Sequence, residues 1–492
     1  MTRKSVLVTG ATGYIASRLI PALIGEGLAV RVTSRHPERV GRRHPATSTV
    51  TSDLLDPDSL RPALAGVDVA YYLVHSMGGS DFEASDRDAA RNFAAAAADA
   101  GVARIVYLGG LGRDDDRLSS HLRSRREVGR ILAEGTVEVV ELRAAIVIGS
   151  GSIAFEMVRY LTERLPVMIA PRWLETRIQP IGEDDLVRYL VGAATLEPGG
   201  NRIVGIGGKD VLTYRQMILG YARLRGLRRA IVGVPVLTPS LSSHWVKLVT
   251  PMPFSVAKPL IDGLRNEVVV TDDAAARLFP GIEPCGYSTA VTAALKGQIR
   301  YLDAASAPGE AAVPGSLEGM LIDRQWVPSA ADATRMGEVI HAIGGDDRWY
   351  PLRLAWWVRA RLDDVFGGTG LKWCREPGPL TKGARVDWWT VEATEPDRLL
   401  LKAELKVPGE AWLEWRVVPL EPGCELRQTA YYRPKGLIGH LYWLLMWPFH
   451  VPIFRLMAIR LAQRAELESG EPLGRARLRF WNAGRSAAEA LE

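Results

Sequence analysis

The opening run Val6-Leu-Val-Thr-Gly-Ala-Thr-Gly-Tyr-Ile-Ala16 constrains this chain more than any other stretch. Three apolar residues read as a short buried strand. Gly10 and Gly13 follow, and a helical pattern starts at Tyr14. A strand that turns through glycines directly into a helix is a dinucleotide-binding device. Gly10 permits the tight turn, and Gly13 lets a pyrophosphate approach the backbone. The helix N-terminus offers N–H groups and the positive end of its dipole. Thr9 and Thr12 add hydroxyl donors. Ala16 stands where a third glycine is usual, and it is small enough for the helix to lie close to the strand.

Strands and helices then alternate, the pattern of an α/β, Rossmann-type doubly wound parallel sheet with right-handed crossovers. The second strand, Ala29 to Thr33, runs into Ser34 and Arg35, with Arg39 close behind. An acid at this place would bond a ribose 2′-hydroxyl, whereas arginine suits a 2′-phosphate. NADP(H) is therefore expected in preference to NAD(H), the bland alternative being a solvated surface arginine. Asp53, at a strand end beside Leu54, is placed to meet the adenine edge. The strand from Val67 to Val74 ends in His75, and the strand from Arg104 to Leu108 ends in Gly109-Gly110. A helix follows from Ser120 to Glu134, then a strand from Val137 to Ile148.

The Thr9-Gly-Ala-Thr-Gly13 turn, Asp53-Leu54, the 72–75 strand end and Tyr107-Leu-Gly-Gly110 resemble the short-chain dehydrogenase/reductase superfamily. Within it the likeness is to extended or atypical members, of the NmrA-like and complex-I-accessory-subunit-like type, over about residues 4 to 300. The resemblance implies a cofactor lined by Gly10, Thr12, Gly13, Tyr14, Ile15, Arg35, Asp53, Leu54, Leu73, Val74 and His75. Ser34 and Gly109 join them as strand-end positions. Active members carry a tyrosine and, four residues later, a lysine on the helix after the fifth strand. Here that helix carries His121 and Arg125 at the same spacing, which puts both on one face. His121 is the candidate general acid, since an ordinary imidazole titrates at about 6.5 and Arg125 would push it lower. His75 is the second candidate. The other reading is a cofactor-binding domain that has lost or changed its redox step.

Residues 153–303 are expected to complete the core and supply substrate-side segments. They include a helix from Phe155 to Leu165, the stretch Trp173 to Ile181 and a helix from Glu183 to Leu196 whose acids suit its N-terminus. The run Pro235 to Trp245, with Leu248 to Leu264, reads equally as a greasy lid or as ordinary helix packing. A linker is expected over 304–324.

Composition then shifts, and 12 of the 14 tryptophans lie from Trp326 onward. Alternating stretches at Arg385 to Glu392, Arg398 to Lys406, Ala411 to Leu420 and Cys424 to Tyr432 are separated by Pro/Gly turns and read as an antiparallel meander. A helical region, Leu352 to Asp364, precedes it. Element order and tryptophan usage resemble the Bet v 1/START-like (SRPBCC) superfamily over about residues 325–468. That resemblance implies an α+β, helix-grip-like domain holding a hydrophobic ligand between sheet and helix. Residues 469–492 read as a tail.

The run Leu437 to Ile459 has no acid and only His440, His450 and Arg455 as basic groups. Its length would permit a membrane span, but Pro448 and Pro452 break the pattern and Arg455 is costly in lipid. A helix buried against the sheet is favoured, with peripheral membrane contact through 437–459 as the alternative.

The net charge of +5 is too mild and dispersed for a nucleic-acid partner. Three scattered cysteines suit a reducing cytoplasm and give no disulfide framework. No histidine spacing supports a metal, and a strand beginning after four residues leaves no room for a signal peptide. The expected function is an NADP(H)-dependent oxidoreductase acting on a hydrophobic carbonyl or quinone-like small molecule. The alternatives are an inactive NADPH-sensing or assembly protein, and a lipid binder with a vestigial nucleotide fold.

Overall fold

The computed structural model describes residues 4–35, 37, 40, 44–75, 82–112, 118–234, 261–304, 316–317, 319–345 and 375–469. Arg39, the Pro235–Trp245 run, most of 248–264, the 352–364 region, most of the linker and the tail lie outside them. The chain divides into two compact units, Met1–Ala307 and Pro308–Glu492.

The first unit is built on seven parallel strands. They are β1 (Ser5–Val8), β2 (Ala29–Ser34), β3 (Ser48–Thr51), β4 (Val69–Tyr72), β5 (Arg104–Gly110), β6 (Glu138–Ala144) and β7 (Arg202–Ile206). Their order is β7-β6-β5-β4-β1-β2-β3, so the winding reverses between β1 and β4. That reversal is the crevice where open α/β sheets bind ligands, outside the carboxyl ends of the strands. The short apolar strands are buried on both faces. Val6 and Val8 pack beneath α1 (Tyr14–Gly25) with Leu19, Ile20 and Leu23. Leu7, between them, faces the other layer, with Leu60 of α2 (Pro57–Leu64), Phe93 of α3 (Phe82–Asp99) and Ile131 of α4 (Ser120–Ala133). Helix α5 (Glu183–Thr195) joins α1 through Leu186 and Leu190.

The expected single strand from Val137 to Ile148 is two pieces. After β6 the chain leaves the main sheet, and Val147–Ile148 pairs with Ile181–Gly182 instead.

The second unit is one antiparallel sheet. Its strands are β8 (Ser316–Leu317), β9 (Met320–Ser329), β10 (Arg385–Val386), β11 (Trp389–Glu395), β12 (Arg398–Ala403), β13 (Gly409–Pro419) and β14 (Cys424–Pro434), in the order β8-β9-β14-β13-β12-β11-β10. Because β9 pairs along its length with β14, residues 320–324 belong to the sheet and not to the expected linker. Helices α6 (Ala333–His341) and α7 (Gly436–Ser469) pack on one face. The interior there is filled by Leu413, Trp415 and Val417 from β13, Met336 and Ile340 from α6, and Met457 and Leu461 from α7.

Two expectations for the last apolar run need correction. Pro448 and Pro452 do not end the helix, which continues through both. They are four residues apart on its exposed side, where the rings displace no neighbour. Burial against the sheet holds only for the second half, from Met457 onward.

Candidate functional site

The turn after β1 is shaped by steric necessity. Gly10 has φ +65°, and a Cβ there would lie 3.0 Å from the Leu73 carbonyl oxygen. Only glycine fits both demands. Gly13 is the N-cap of α1, no side chain caps that end, and its N–H donates to the Gly10 carbonyl at 2.8 Å. A Cβ on Gly13 would meet nothing except that carbonyl, so the outer side of the turn is open. An uncapped helix N-terminus behind an open glycine fits a pyrophosphate. Thr12 and Gly13 are exposed, while Tyr14 and Ile15 are half-buried.

Thr9 has a different job from the one expected. It is fully buried, its hydroxyl donates to the Tyr71 carbonyl, and it accepts from the Leu73 N–H, both at 3.0 Å. Its oxygen therefore straps β1 to the end of β4. The Tyr14 hydroxyl donates to the Glu183 carboxylate, and the Arg18 guanidinium lies 4.7 Å from the Tyr14 ring centroid.

The other candidates gather along the same sheet edge, as parallel pairing requires. Ser34 closes β2 and Arg35 follows it, exposed. Asp53 is half-buried, and its Oδ1 accepts from the Leu55 N–H at 3.0 Å. The Leu54 carbonyl is held by Asn92 Nδ2 at 3.0 Å. Leu73, Val74 and His75 leave β4 half-buried, beside Gly10.

Gly109 is explained by packing. A Cβ there would lie 2.5 Å from Glu141 Oε1, and Glu141 is a buried carboxylate accepting from Arg143 Nε at 2.8 Å. The missing side chain makes room for that ion pair.

The two candidate histidines, 46 residues apart, meet. His75 Nε2 lies 2.9 Å from His121 Nδ1, and the ring centroids are 4.7 Å apart. The other nitrogen of His75, Nδ1, is 2.9 Å from Asp86 Oδ2. That oxygen also accepts from the Ser124 hydroxyl at 3.0 Å. A carboxylate only accepts, so His75 Nδ1 carries its proton toward Asp86, leaving Nε2 to exchange a proton with His121. His121 Nε2 is then the outer end of an Asp86–His75–His121 relay. Burial, then Arg125, then His75 push the His121 imidazole down to about 3, with Asp86 opposing. Burial lowers His75 too, against its hydrogen bond to Asp86.

Arg125 is a positioning group, not a proton carrier. Its guanidinium donates to the Leu108 carbonyl, while its own carbonyl accepts from the Tyr107 hydroxyl at 2.8 Å. This pins α4 to the end of β5. Asp86 and Ser124 were missed by the motif reading. The available signal was a carboxylate on the stripe Asp86, Ala90, Phe93 and Ala97, whose other members are buried and apolar.

Residues 10–145 match a family described as NAD(P)H-binding, and residues 318–457 match a family described as a protein of unknown function (DUF2867). A ceramide reductase of Caulobacter vibrioides (strain NA1000 / CB15N) is 27% identical over 266 residues, covering 52% of this chain and 83% of that protein. A 3-beta-hydroxysteroid dehydrogenase of Mycolicibacterium neoaurum is 30% identical over 113 residues, 21% of this chain and 31% of that protein. Among solved structures, the triphenylmethane reductase of Citrobacter sp. complexed with NADP(H) is 20% identical with a TM-score of 0.48, covering 59% of this chain and 99% of that one. An NADPH-dependent quinone oxidoreductase of Escherichia coli complexed with NADPH is also 20% identical with a TM-score of 0.48, covering 58% and 98%.

Proposed function

We propose, on the premise that the N-terminal part of this chain is an NAD(P)H-binding domain, that the chain is an NADP(H)-dependent oxidoreductase reducing a hydrophobic carbonyl or quinone-like compound. The observation that carries this reading is the 2.9 Å contact between His75 and His121, backed by Asp86. Arg35, with no acid beside it at the end of β2, supports the phosphorylated cofactor. The Caulobacter relative, named a ceramide reductase, supports the hydrophobic substrate class.

When bound, NADPH supplies the hydride. The protein supplies the proton. Burial lowers both imidazoles, so the proton-loaded pair is the minor form at neutral pH. In it His75 carries protons on both nitrogens, one toward Asp86 and one toward His121 Nδ1, and His121 carries its own on Nε2. The developing substrate oxyanion takes the Nε2 proton of His121. His121 Nδ1 takes the proton of His75 Nε2, and His75 is left neutral with Nδ1–H on Asp86. Charge balances: one imidazolium and one oxyanion become two neutral imidazoles and a hydroxyl. Solvent reloads the pair through His121 Nε2. His121 thus replaces the tyrosine of the family pattern, and Asp86 does the orienting and charge-stabilising work. The second unit is assigned the hydrophobic ligand, on the strength of a START-like order of antiparallel sheet and long C-terminal helix.

The test is NADPH oxidation by the purified chain with a panel of quinones and long-chain carbonyls. Turnover that disappears in His121→Gln while NADPH affinity is kept is the expected result. Tight NADPH binding without turnover of any compound overturns the reading in favour of a sensor.

A further inference from the structure

Helix α7 runs unbroken from Gly436 to Ser469, but its two halves meet different surroundings. Met457, Ala458, Leu461, Ala462 and Ala465 are buried against the sheet of the second unit. Ahead of them an apolar stripe faces outward. Ile438 is 72% exposed, Leu444 70%, Leu445 67% and Phe449 62%, with Leu441 and Leu456 in line. Their spacing of three, four and seven residues places them along one side of the helix. From 437 to 456 this stripe is about 30 Å long. A run of that length, with every member apolar, exceeds the scattered exposed leucines of ordinary surfaces.

The opposite side of the same segment is occupied. Trp443 stacks on Tyr432 of β14, centroids 5.3 Å apart and planes within 9°. His450 Nε2 is 3.2 Å from Asp323 Oδ2 of β9, and Gln428 of β14 donates to the Phe454 carbonyl at 2.7 Å. A helix crossing a bilayer would have to carry this polar sheet into the hydrocarbon with it. A helix lying in the plane of the surface would not. The charge pattern names the surface. Between Glu425 and Glu466 the sequence has no acid, and its charges are Arg427, Arg433, Lys435, Arg455, Arg460 and Arg464. Arg427, Arg433 and Arg464 form ion pairs with Glu425, Glu410 and Glu468, so the positive excess is carried by Lys435, Arg455 and Arg460. Trp447, among the exposed residues of the segment, supplies an aromatic group of the kind that settles at headgroup level.

We propose that the exposed stripe of α7 docks on an anionic phospholipid bilayer, lying in its plane with Ile438, Leu444, Leu445 and Phe449 in the acyl boundary. This rests on the second unit alone and stands apart from the redox reading.

The experiment mixes the full chain with vesicles of phosphatidylcholine alone or mixed with phosphatidylglycerol, then sediments them. Brominated-acyl lipids are included to quench Trp447. The expected result is sedimentation with the phosphatidylglycerol vesicles, weakening in salt, with quenched tryptophan emission and release by alkaline carbonate. The double variant Leu441→Glu with Leu444→Glu should bind roughly a hundredfold more weakly, about tenfold per leucine. Its melting temperature should match the parent, because both side chains are exposed. Absence of sedimentation with either vesicle overturns the proposal. So does retention after carbonate, which indicates a span. A lipid-free dimer dissolved by the same double variant also overturns it, by assigning the stripe to a second copy.

Discussion

His75 Nε2 and His121 Nδ1 are 2.9 Å apart, and the far nitrogen of His75 is held by Asp86 at 2.9 Å. One residue follows the end of β4 and the other opens a helix, yet the contact joins them. Two imidazoliums at this separation repel strongly, and both rings are largely buried. The pair therefore takes up at most one extra proton, and burial, which lowers both rings, leaves it neutral at neutral pH.

Replacing His121 should remove the outer end of the relay. His121→Gln is expected to lower kcat by about two to three orders of magnitude with KM for NADPH unchanged. Asp86→Asn keeps the shape but offers His75 a poorer partner, so it should cost less and displace the pH–rate profile. Steady-state kinetics across pH separates the two. Equal losses with unaltered profiles would show that Asp86 is merely structural.

The same burial has a stability consequence. His121 in the folded chain titrates down at about 3, whereas an unfolded histidine titrates at about 6.5. Between those values the unfolded chain binds more protons than the folded one, so stability rises with pH there. The contribution is complete above about pH 6.5 and is lost progressively as pH falls below it. Thermal melts from neutral to mildly acidic pH should show this decline. His121→Gln should flatten it in the transition of the first unit.

The N-terminal architecture was legible because each element carries a local signature. Val6 to Val8 is a continuous apolar run, Gly10 is forced by a positive φ, Ser34 ends β2 and His75 follows β4, strands whose direction parallel winding fixes. The relay was legible only as separate candidates. His121 stood out by its spacing to Arg125, but nothing local shows that His75 reaches it, since the contact is made by packing α4 on β5, the strand next to β4. Thr9 was misread because a threonine in a turn looks the same whether its hydroxyl faces a ligand or a neighbouring strand. Pro448 and Pro452 were misread because proline rules describe isolated helices, and α7 is held at Trp443 and His450 by the sheet beneath it.

Arg35 should decide between cofactors. Arginine–phosphate pairs are bidentate and charge-assisted, and NADH has no 2′-phosphate to use one. Arg35→Ser is expected to raise the Kd for NADPH about ten- to a hundredfold while leaving that for NADH within about twofold. Titration of the protein's fluorescence with each nucleotide checks it. Equal weakening of both would place Arg35 outside the phosphate contact.

Gly10→Ala tests the turn itself. The new methyl would demand a left-handed backbone and would lie 3.0 Å from the Leu73 carbonyl oxygen. The strain is about 1–2 kcal/mol from the backbone, with further cost from the contact. A lowered melting temperature for the first unit and loss of NADPH binding are expected. Gly13→Ala should cost less, because its φ of −75° suits any residue and its Cβ meets a single neighbour, the Gly10 carbonyl oxygen at 3.0 Å. It should fold nearly as the parent does and still bind NADPH poorly, since the methyl stands where the pyrophosphate approaches.

Gln428 is the last point of leverage, in the second unit. It accepts from the Trp415 indole N–H at 2.9 Å and donates to the Phe454 carbonyl at 2.7 Å, so one amide ties β13 to α7 through the core. Trp415 is fully buried and Gln428 is 1% exposed, so water cannot replace either bond. Gln428→Leu would remove the amide that the Trp415 indole N–H donates to and the extra donor to the Phe454 carbonyl, at about 1–3 kcal/mol for the lost buried bond. Most tryptophans lie in this half of the chain, so urea unfolding followed by tryptophan fluorescence reports on it. The midpoint should fall in Gln428→Leu. Gln428→Glu should fall further at neutral pH, because it buries a charge and still cannot donate to Phe454. If Gln428→Leu unfolds at the parental midpoint, the amide is not what holds the helix, and the Met457, Leu461, Trp443 and His450 contacts do so without it.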